Sequence, residues 1–194
     1  MEQIPTVDEP VVSGMTEADA DYIMKRISRI ERIVNDGTAN PLKALDVFNE
    51  IADYVISKLL IPVTCRAGCD HCCHVAVGLT GIEARYIEKR TGRKVKRYES
   101  GPRDINERRP CPFLKDKKCS IYTHRPATCR VFVSFDDPKI CEDPKGKHAM
   151  IALNPPGKGG IEWLNEVYFG MMMNLVSRNP EYKKLNDIRG FFGD

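Results

Sequence analysis

The 194-residue sequence has no apolar run long enough to cross a membrane as a helix. Such a helix needs roughly 18 consecutive apolar residues, and the longest run near the carboxyl end, "VYFGMMMNLV", is about half that length and is interrupted by Gly170 and Asn174. The amino-terminal stretch "MEQIPTVDEPVVSGMTEADADY" also lacks the basic start and apolar segment of a signal peptide. These absences predict a cytoplasmic protein with no membrane partner.

Motifs of nucleotide-driven and hydrolytic enzymes are missing as well. The sequence contains no G-x-x-x-x-G-K-[ST], no G-x-G-x-x-G after a strand, no G-x-S-x-G and no H-E-x-x-H. The stretch "PPGKGG" resembles a phosphate-binding loop only superficially, because no Ser or Thr follows Lys158. A nucleotide-driven enzyme is therefore disfavoured.

The charge of the sequence is nearly balanced, with a formal net charge of +3. This excess is too small to argue for a nucleic-acid partner, although residues 89–118 carry twelve of the thirty Lys and Arg. We interpret this basic segment as a solvated, partly irregular connection. A patch that binds an acidic substrate or a nucleic acid is the weaker alternative.

Helical periodicity and capping residues predict most of the regular structure. Thr16 is placed to cap a helix over residues 17–36, and Asn40 with Pro41 opens a second helix that Pro62 closes. A capping box from Thr80 to Glu83 predicts a third helix that ends at Gly92. Residues 161–179 predict a last helix, "RVFVSF" predicts a short strand, and "HVAVGL" predicts a strand or an extended segment.

These elements predict a fold that is mainly α with short strands, an α+β arrangement of helices around an irregular cysteine-rich centre. Residues 1–15 are expected to form a flexible tail, and residues 16–62 a helical pair within the same domain. Residues 63–145 form the cysteine-rich region, and residues 146–194 a loop and the final helix. No internal repeat or low-complexity tract interrupts this order.

The cysteines fall into two sets that occupy mostly non-periodic sequence. The stretch "CRAGCDHCC" places four of the eight cysteines within nine positions, and the second set is spread over residues 111–141. A cytoplasmic location disfavours disulfides, and no single cysteine stands out as a nucleophile. The expected role of all eight is metal binding by thiolates: Cys65, Cys69, Cys72, Cys73, Cys111, Cys119, Cys129 and Cys141.

The identity of the metal is less constrained by the sequence than its presence. Four thiolates suit tetrahedral zinc, and they also suit an iron–sulfur cluster. Common zinc modules pair two C-x2-C units, whereas this chain has C-x3-C-x2-C-C followed by widely spaced cysteines. The spacing therefore favours an iron–sulfur cluster such as 4Fe-4S over zinc.

The two sets are expected to lie close together and to share a centre, although 37 residues separate Cys73 from Cys111. Four ligands from the first set alone would force the adjacent Cys72 and Cys73 onto one metal. Positive charge near the thiolates could come from neighbouring arginines: Arg66, Arg109, Arg125 and Arg130. His71, His74 and His124 are interpreted as neighbours of the centre rather than as its ligands.

The motifs between residues 65 and 141 resemble a known family. "CRAGCDHCC", "CPFLKDKKCSIYTHRPATCRVF" and Cys141 are similar, in order, to the YkgJ-type cysteine-cluster family, a zinc- or iron-chelating domain. The resemblance includes residues other than cysteine, such as Phe113, Tyr122 and Pro126. It implies metal chelation by the cysteines and fixes no reaction.

Two functions remain open at this point. The leading hypothesis is a metal-binding module whose centre organises the irregular middle of the chain. The alternative is an enzyme, of redox or protein-modifying type, since flagellin lysine N-methylases carry a similar cysteine pattern and are thought to use an iron–sulfur centre. Its substrate, a protein or a small molecule of unknown identity, would bind near the basic segment 89–118.

Overall fold

The computed structural model describes residues 14–66, 68–97, 99–101, 108–143 and 149–193. The predicted tail at residues 1–15 lies almost entirely outside this part of the chain. Within it, six α-helices and three pairs of short antiparallel strands are formed, which confirms a mainly α fold with short strands. None of these helices combines the length and the apolar content of a membrane span.

The elements follow one another along the chain with long irregular segments between them. The helices are α1 (Glu17–Asn35), α2 (Leu42–Ser57), α3 (Gly81–Thr91), α4 (Ala127–Val131), α5 (Glu162–Val176) and α6 (Ile188–Phe192). The strands are β1 (Gly78–Thr80), β2 (Leu114–Lys115), β3 (Lys118–Cys119), β4 (Val133–Ser134), β5 (Met150–Ile151) and β6 (Leu185–Asp187). Short 3-10 turns cover His71–His74, Tyr122–His124 and Pro138–Glu142.

The chain divides into two compact units, and each is built from two separate segments. Unit 1 contains Met1–Thr64 and Arg130–Leu175, and unit 2 contains Cys65–Cys129 and Val176–Asp194. The predicted division at residues 62 and 145 is a different one, and it stays a prediction. Because both units draw on early and late sequence, neither can form from one continuous stretch of chain.

Unit 1 is built on the antiparallel pair of α1 and α2 and on α5. Thr16 caps α1 as predicted, and its hydroxyl accepts a hydrogen bond from the Asp19 N–H while the Asp19 carboxylate accepts one from the Thr16 N–H. Phe48 of α2 is fully buried and its ring lies 5.1 Å from that of Tyr168 in α5. The apolar faces that periodicity predicts thus form the core of this unit.

Asp19 joins the start of α1 to the end of α2. Its carboxylate accepts hydrogen bonds from the hydroxyls of Thr16 and Tyr54 and lies 2.9 Å from the ammonium of Lys58. These donors, led by Tyr54, hold the pKa of the Asp19 carboxyl well below its usual range. The same contacts raise the pKa of Tyr54 and of Lys58, and they stabilise the charged forms of Asp19 and Lys58.

We expect Asp19→Asn to destabilise unit 1 in a pH-dependent way. A carboxyl whose pKa is lowered by folding contributes stability above its unfolded pKa of about 3.9, and this contribution is lost as pH falls towards the folded value. The difference in thermal midpoint between the variant and the wild type should therefore be largest near neutral pH and should shrink below about pH 4.

Asp21→Asn is the matched control, because Asp21 forms an ion pair with Lys25 whose side chains are 61% and 73% exposed. Exposed pairs of this kind contribute little to stability. A pH-independent difference between Asp19→Asn and the wild type would contradict the role assigned to Asp19.

Unit 2 is organised by the antiparallel pair β1–β6 and by α3 and α6. Thr80 and Glu83 form the predicted capping box of α3, and Gly92 ends this helix in the left-handed conformation at φ 75°. In the pair, Gly78 lies opposite Asp187 and Thr80 lies opposite Leu185. Residues 185–193 thus complete a unit whose other elements all come from residues 65–129.

Strands β2 and β3 form a tight hairpin in the middle of the cysteine-rich region. Its two turn residues, Asp116 and Lys117, have the left-handed backbone conformation, with φ angles of 49° and 58°. A two-residue hairpin turn of type I′ requires a positive φ at both of these positions. Phe113, directly before β2, is 2% exposed and its ring lies 5.0 Å from that of Phe192 in α6. The hairpin is therefore held in place by the core of unit 2.

The structure corrects two of the predicted elements. The stretch "RVFVSF" is not one strand, because residues 127–131 form α4 and only Val133 and Ser134 pair with β5. Pro126 precedes α4, and the N–H of Ala127, the first residue of this helix, donates to the Glu83 carboxylate at 3.3 Å. This contact satisfies a backbone donor at the start of α4, in a stretch whose β-branched residues favour a strand. Helix α2 ends at Ser57 rather than continuing to Pro62.

Candidate metal centre

The first cysteine set lies on one compact loop at the start of unit 2. The N–H of Cys69 donates to the Arg66 carbonyl at 3.0 Å, and the N–H of Cys73 donates to the Asp70 carbonyl at 2.8 Å. The second turn places Cys72 and Cys73 in the 3-10 turn His71–His74. Cys65 and Cys72 are exposed, whereas Cys69 and Cys73 are half-buried.

The second cysteine set is distributed over three elements. Cys111 precedes the hairpin and Cys119 lies in β3, so the buried Phe113 lies between the two cysteines in sequence. Cys129 lies in α4, and Cys141 lies in the 3-10 turn Pro138–Glu142 of unit 1. Three of these four cysteines therefore belong to the same unit as the first set.

Backbone hydrogen bonds join the two sets within unit 2. The N–H of Cys111 donates to the carbonyl of Cys73 at 2.8 Å, and the N–H of Arg109 donates to the carbonyl of His74 at 3.0 Å. The expectation that the two sets lie close together is confirmed for these segments. Neighbouring irregular segments, rather than a helix or a sheet, place the backbones of Cys73 and Cys111 side by side.

The seven thiols of unit 2 interact electrostatically, and we call five of them the central thiols: Cys72, Cys73, Cys111, Cys119 and Cys129. Burial raises the pKa of Cys111, Cys119 and Cys129, and negative charge on neighbouring central thiols raises it further. A hydrogen bond donated to Cys72 is the largest of the causes that raise the pKa of Cys73. Most central thiols are therefore protonated at neutral pH.

Cys72 behaves differently from the other central thiols. The hydrogen bond from the Cys73 thiol, assisted by the positive charge of Arg125, lowers the pKa of Cys72 to about 7. The thiolate form is therefore more accessible at Cys72 than at the other central thiols. A thiolate is the form of cysteine that binds a metal.

Two arginines place positive charge beside the central thiols. Arg125 lowers the pKa of Cys72, Cys119 and Cys129, and its guanidinium lies 4.2 Å from the centre of the Tyr122 ring. Arg189 has the same effect on Cys111. Arg125 was one of the expected arginines, whereas nothing in the sequence pointed to Arg189.

The other three arginines near the cysteines in sequence have different surroundings. Arg130 lies in unit 1, where its guanidinium is 2.5 Å from the carboxylate of Asp53. Arg66 is exposed, and the carbonyl of Arg109 accepts a hydrogen bond from Arg189. Arg125 and Arg189 thus place positive charge at the central thiols.

The histidines near the cysteines have contacts of their own. Nδ1 of His74 lies 3.1 Å from the carbonyl of Asp70, which orients the ring away from a role as a ligand through that atom. Nδ1 of His124 is buried without a hydrogen-bond partner among the described residues, and its ring meets the edge of Tyr86. The interpretation of the histidines as neighbours of the centre stays a prediction.

The central thiols do not form a finished cage. No disulfide links the cysteines, all eight of which lie in the described part of the chain. Among the described residues, no group of three or more Cys, His, Asp or Glu side chains has the arrangement of a metal site. Neutral thiols are not held together by a shared ion. Thiols that bind a metal lose their protons and are brought together around it.

The donor set nevertheless fits zinc or iron. It consists of soft sulfur atoms, it contains more than the four that a tetrahedral ion or an iron–sulfur cluster takes, and it has two adjacent cations to offset thiolate charge. Magnesium or calcium would require oxygen ligands instead. The donor chemistry of the central thiols is therefore compatible with a zinc or iron centre.

A cavity of about 370 Å³ lies beside this region in unit 2. Its walls include Arg97, Arg109 and Arg189 together with Glu99 and Asp187, so positive and negative groups are nearly balanced. This balance gives the cavity no clear preference for an anionic ligand. It overlaps the basic segment 89–118, of which residues 98 and 102–107 lie outside the described part.

Comparison with known proteins agrees with this chemistry. Residues 64–153 match the model of a family described as "CxxCxxCC: Putative zinc- or iron-chelating domain". This match confirms the resemblance in the motifs and supports a zinc- or iron-chelating domain at residues 64–153, just under half of the chain. No curated protein and no solved structure matches the chain.

Proposed function

We propose that unit 2 binds iron, as an iron–sulfur cluster, on thiolates drawn from both cysteine sets. The observation that carries this proposal is the hydrogen bond between the Cys111 N–H and the Cys73 carbonyl, which brings the two sets side by side. The central thiols supply the donors, with Cys73 on one loop and Cys111, Cys119 and Cys129 on the other elements. Zinc on the same thiolates is the second possibility.

The distribution of the thiols supports one shared centre rather than one centre for each set. Cys129 experiences the charge of Cys72, Cys111 and Cys119, so thiols from both sets act on the same atom. A centre confined to the first set would need both Cys72 and Cys73, whose adjacent side chains are strained when they bind one ion. Sharing removes that demand.

The preference for iron is based on the composition of the donor set and its spacing. Eight thiols are available as soft donors, and the paired C-x2-C units of common zinc modules are absent from the sequence. An iron–sulfur cluster would supply electron transfer when bound. The residues of this chain would bind it, shield it and balance its negative charge through Arg125 and Arg189.

Anaerobic purification followed by measurement of iron, zinc and acid-labile sulfide tests the proposal. We expect iron and sulfide in the protein, a visible absorption band, and a lower thermal midpoint after chelation, because metal binding contributes folding free energy. A colourless anaerobic preparation with stoichiometric zinc and no sulfide would identify the bound metal as zinc and would contradict the proposal of iron. Failure to retain or take up either metal would refute chelation by this site.

A further inference from the structure

Arg189 lies at the start of α6 and contacts the loop that carries the first cysteine set. Its Nη2 donates to the carbonyl of Cys73 at 3.1 Å, and its Nη1 donates to the carbonyl of Val75 at 3.1 Å. Both acceptors are backbone atoms, so these contacts fix the path of the loop rather than one side chain. Arg189 therefore holds the segment that follows Cys72 and Cys73.

The same guanidinium also contacts the segment that leads into the second set. Its Nε donates to the carbonyl of Pro110 at 3.2 Å, and its Nη2 donates to the carbonyl of Arg109. Cys111 is the next residue. One planar side chain thus bridges the two segments that carry the central thiols.

Asp187 keeps this guanidinium in place. Its carboxylate lies 3.1 Å from Nη1 of Arg189 and also accepts the N–H of Val77 at 2.7 Å. The side chains of Arg189 and Asp187 are only 9% and 11% exposed. A buried arginine is rarely found without such a partner, so the pair forms one structural device.

Arg189 has no donor left for a ligand of the neighbouring cavity. A guanidinium has five N–H groups, and the four carbonyls and the Asp187 carboxylate occupy all of them. Binding of an anion in the cavity would have to break one of these contacts. The role of Arg189 is therefore directed to the cysteine loops.

We propose that Arg189, supported by Asp187, is a positioning residue for the metal centre and sets its metal affinity. Both residues lie outside the segment 64–153 that matches the family, so this chain supplies them from its later sequence. The inference rests on the proposed function, since the positioned thiols are the proposed ligands. With the two loops already joined, less ordering remains to be achieved when a metal binds.

Zn²⁺ affinity of the metal-free protein, measured by competition with a chromophoric chelator, tests the proposal together with hydrogen exchange. Arg189→Met should lower the affinity by about 10- to 100-fold, as is typical when a residue that orients metal ligands is removed. It should also accelerate hydrogen exchange at the Cys111 and Arg109 amides, which donate hydrogen bonds to the carbonyls of Cys73 and His74. Arg189→Lys should recover part of the affinity, because an ammonium reaches fewer of the carbonyls.

Arg85→Met is the matched control, since Arg85 also lies in unit 2 but forms an i,i+3 ion pair with Glu88 on α3. It should leave both measurements unchanged. Wild-type affinity and wild-type amide exchange in Arg189→Met would overturn the inference. If the wild type itself binds neither Zn²⁺ nor Fe²⁺, the proposed function fails, whereas the exchange measurement still shows whether Arg189 joins the loops.

Discussion

Replacement of either Cys72 or Cys129 by serine should remove the same metal from the protein. The two residues belong to different cysteine sets, yet the charge of Cys72 raises the pKa of Cys129, so their thiols interact electrostatically. Loss of a ligand should weaken binding by more than the roughly 100-fold that loss of an orienting residue costs. Metal content and Zn²⁺ affinity of the two variants measure this effect.

A serine replacement elsewhere separates loss of a thiolate from a general effect of the substitution. Met173 of α5 is 72% exposed, so Met173→Ser should retain the full metal content. Retention of one metal and loss of another in each cysteine variant would show two independent sites and would contradict the shared centre. Circular dichroism of each variant verifies that the helices of the protein are still formed.

Gly81→Ala should be among the most destabilising single methyl additions in unit 2. A Cβ at this position would lie 1.8 Å from the carbonyl oxygen of Glu181, which is a backbone atom and cannot rotate away. The N–H of Gly81 also donates to the Lys184 carbonyl at 2.7 Å. Residues 181–184, which lead into β6, therefore lie in close contact with the start of α3. Overpacking of this kind costs about 1 to 3 kcal/mol, and we expect the upper end.

Gly170→Ala provides the opposite result in the same chain. Gly170 is an exposed position within α5, and nothing lies within 4 Å of a Cβ built there. Alanine in a helix interior is favoured over glycine by about 0.5 to 1 kcal/mol. Denaturant unfolding of both variants measures the contrast, and equal stability of Gly81→Ala and the wild type would contradict the close approach.

The parts of the fold that follow from local rules could be predicted from the sequence. Thr16 and Thr80 cap their helices as expected, and Gly92 ends α3, because capping depends on residues three or four positions apart. The strand expected over residues 130–135 was wrong for its first part. There the start of α4 depends on Glu83, which is distant in sequence and leaves no local pattern.

The residues of the candidate site also divide into those that the sequence predicts and those that it does not. The cysteines and Arg125 could be selected because they are clustered in sequence, and the assignment of all eight cysteines as ligands stays a prediction. Arg189 and Asp187 could not be found, since a single arginine in "NDIRGFF" has no spacing that distinguishes it from a surface residue. Its contacts join positions more than one hundred residues apart, which only the folded chain brings together.

The order of synthesis separates the thiols from the residue that joins their loops. Arg189 follows Cys129 by 60 residues, which corresponds to roughly 3 to 12 seconds at a translation rate of about 5 to 20 residues per second. For this interval the segments that carry the central thiols are not yet connected through a guanidinium. Unit 2 is therefore completed only after every cysteine has been synthesised, when residues 185–187 pair with β1.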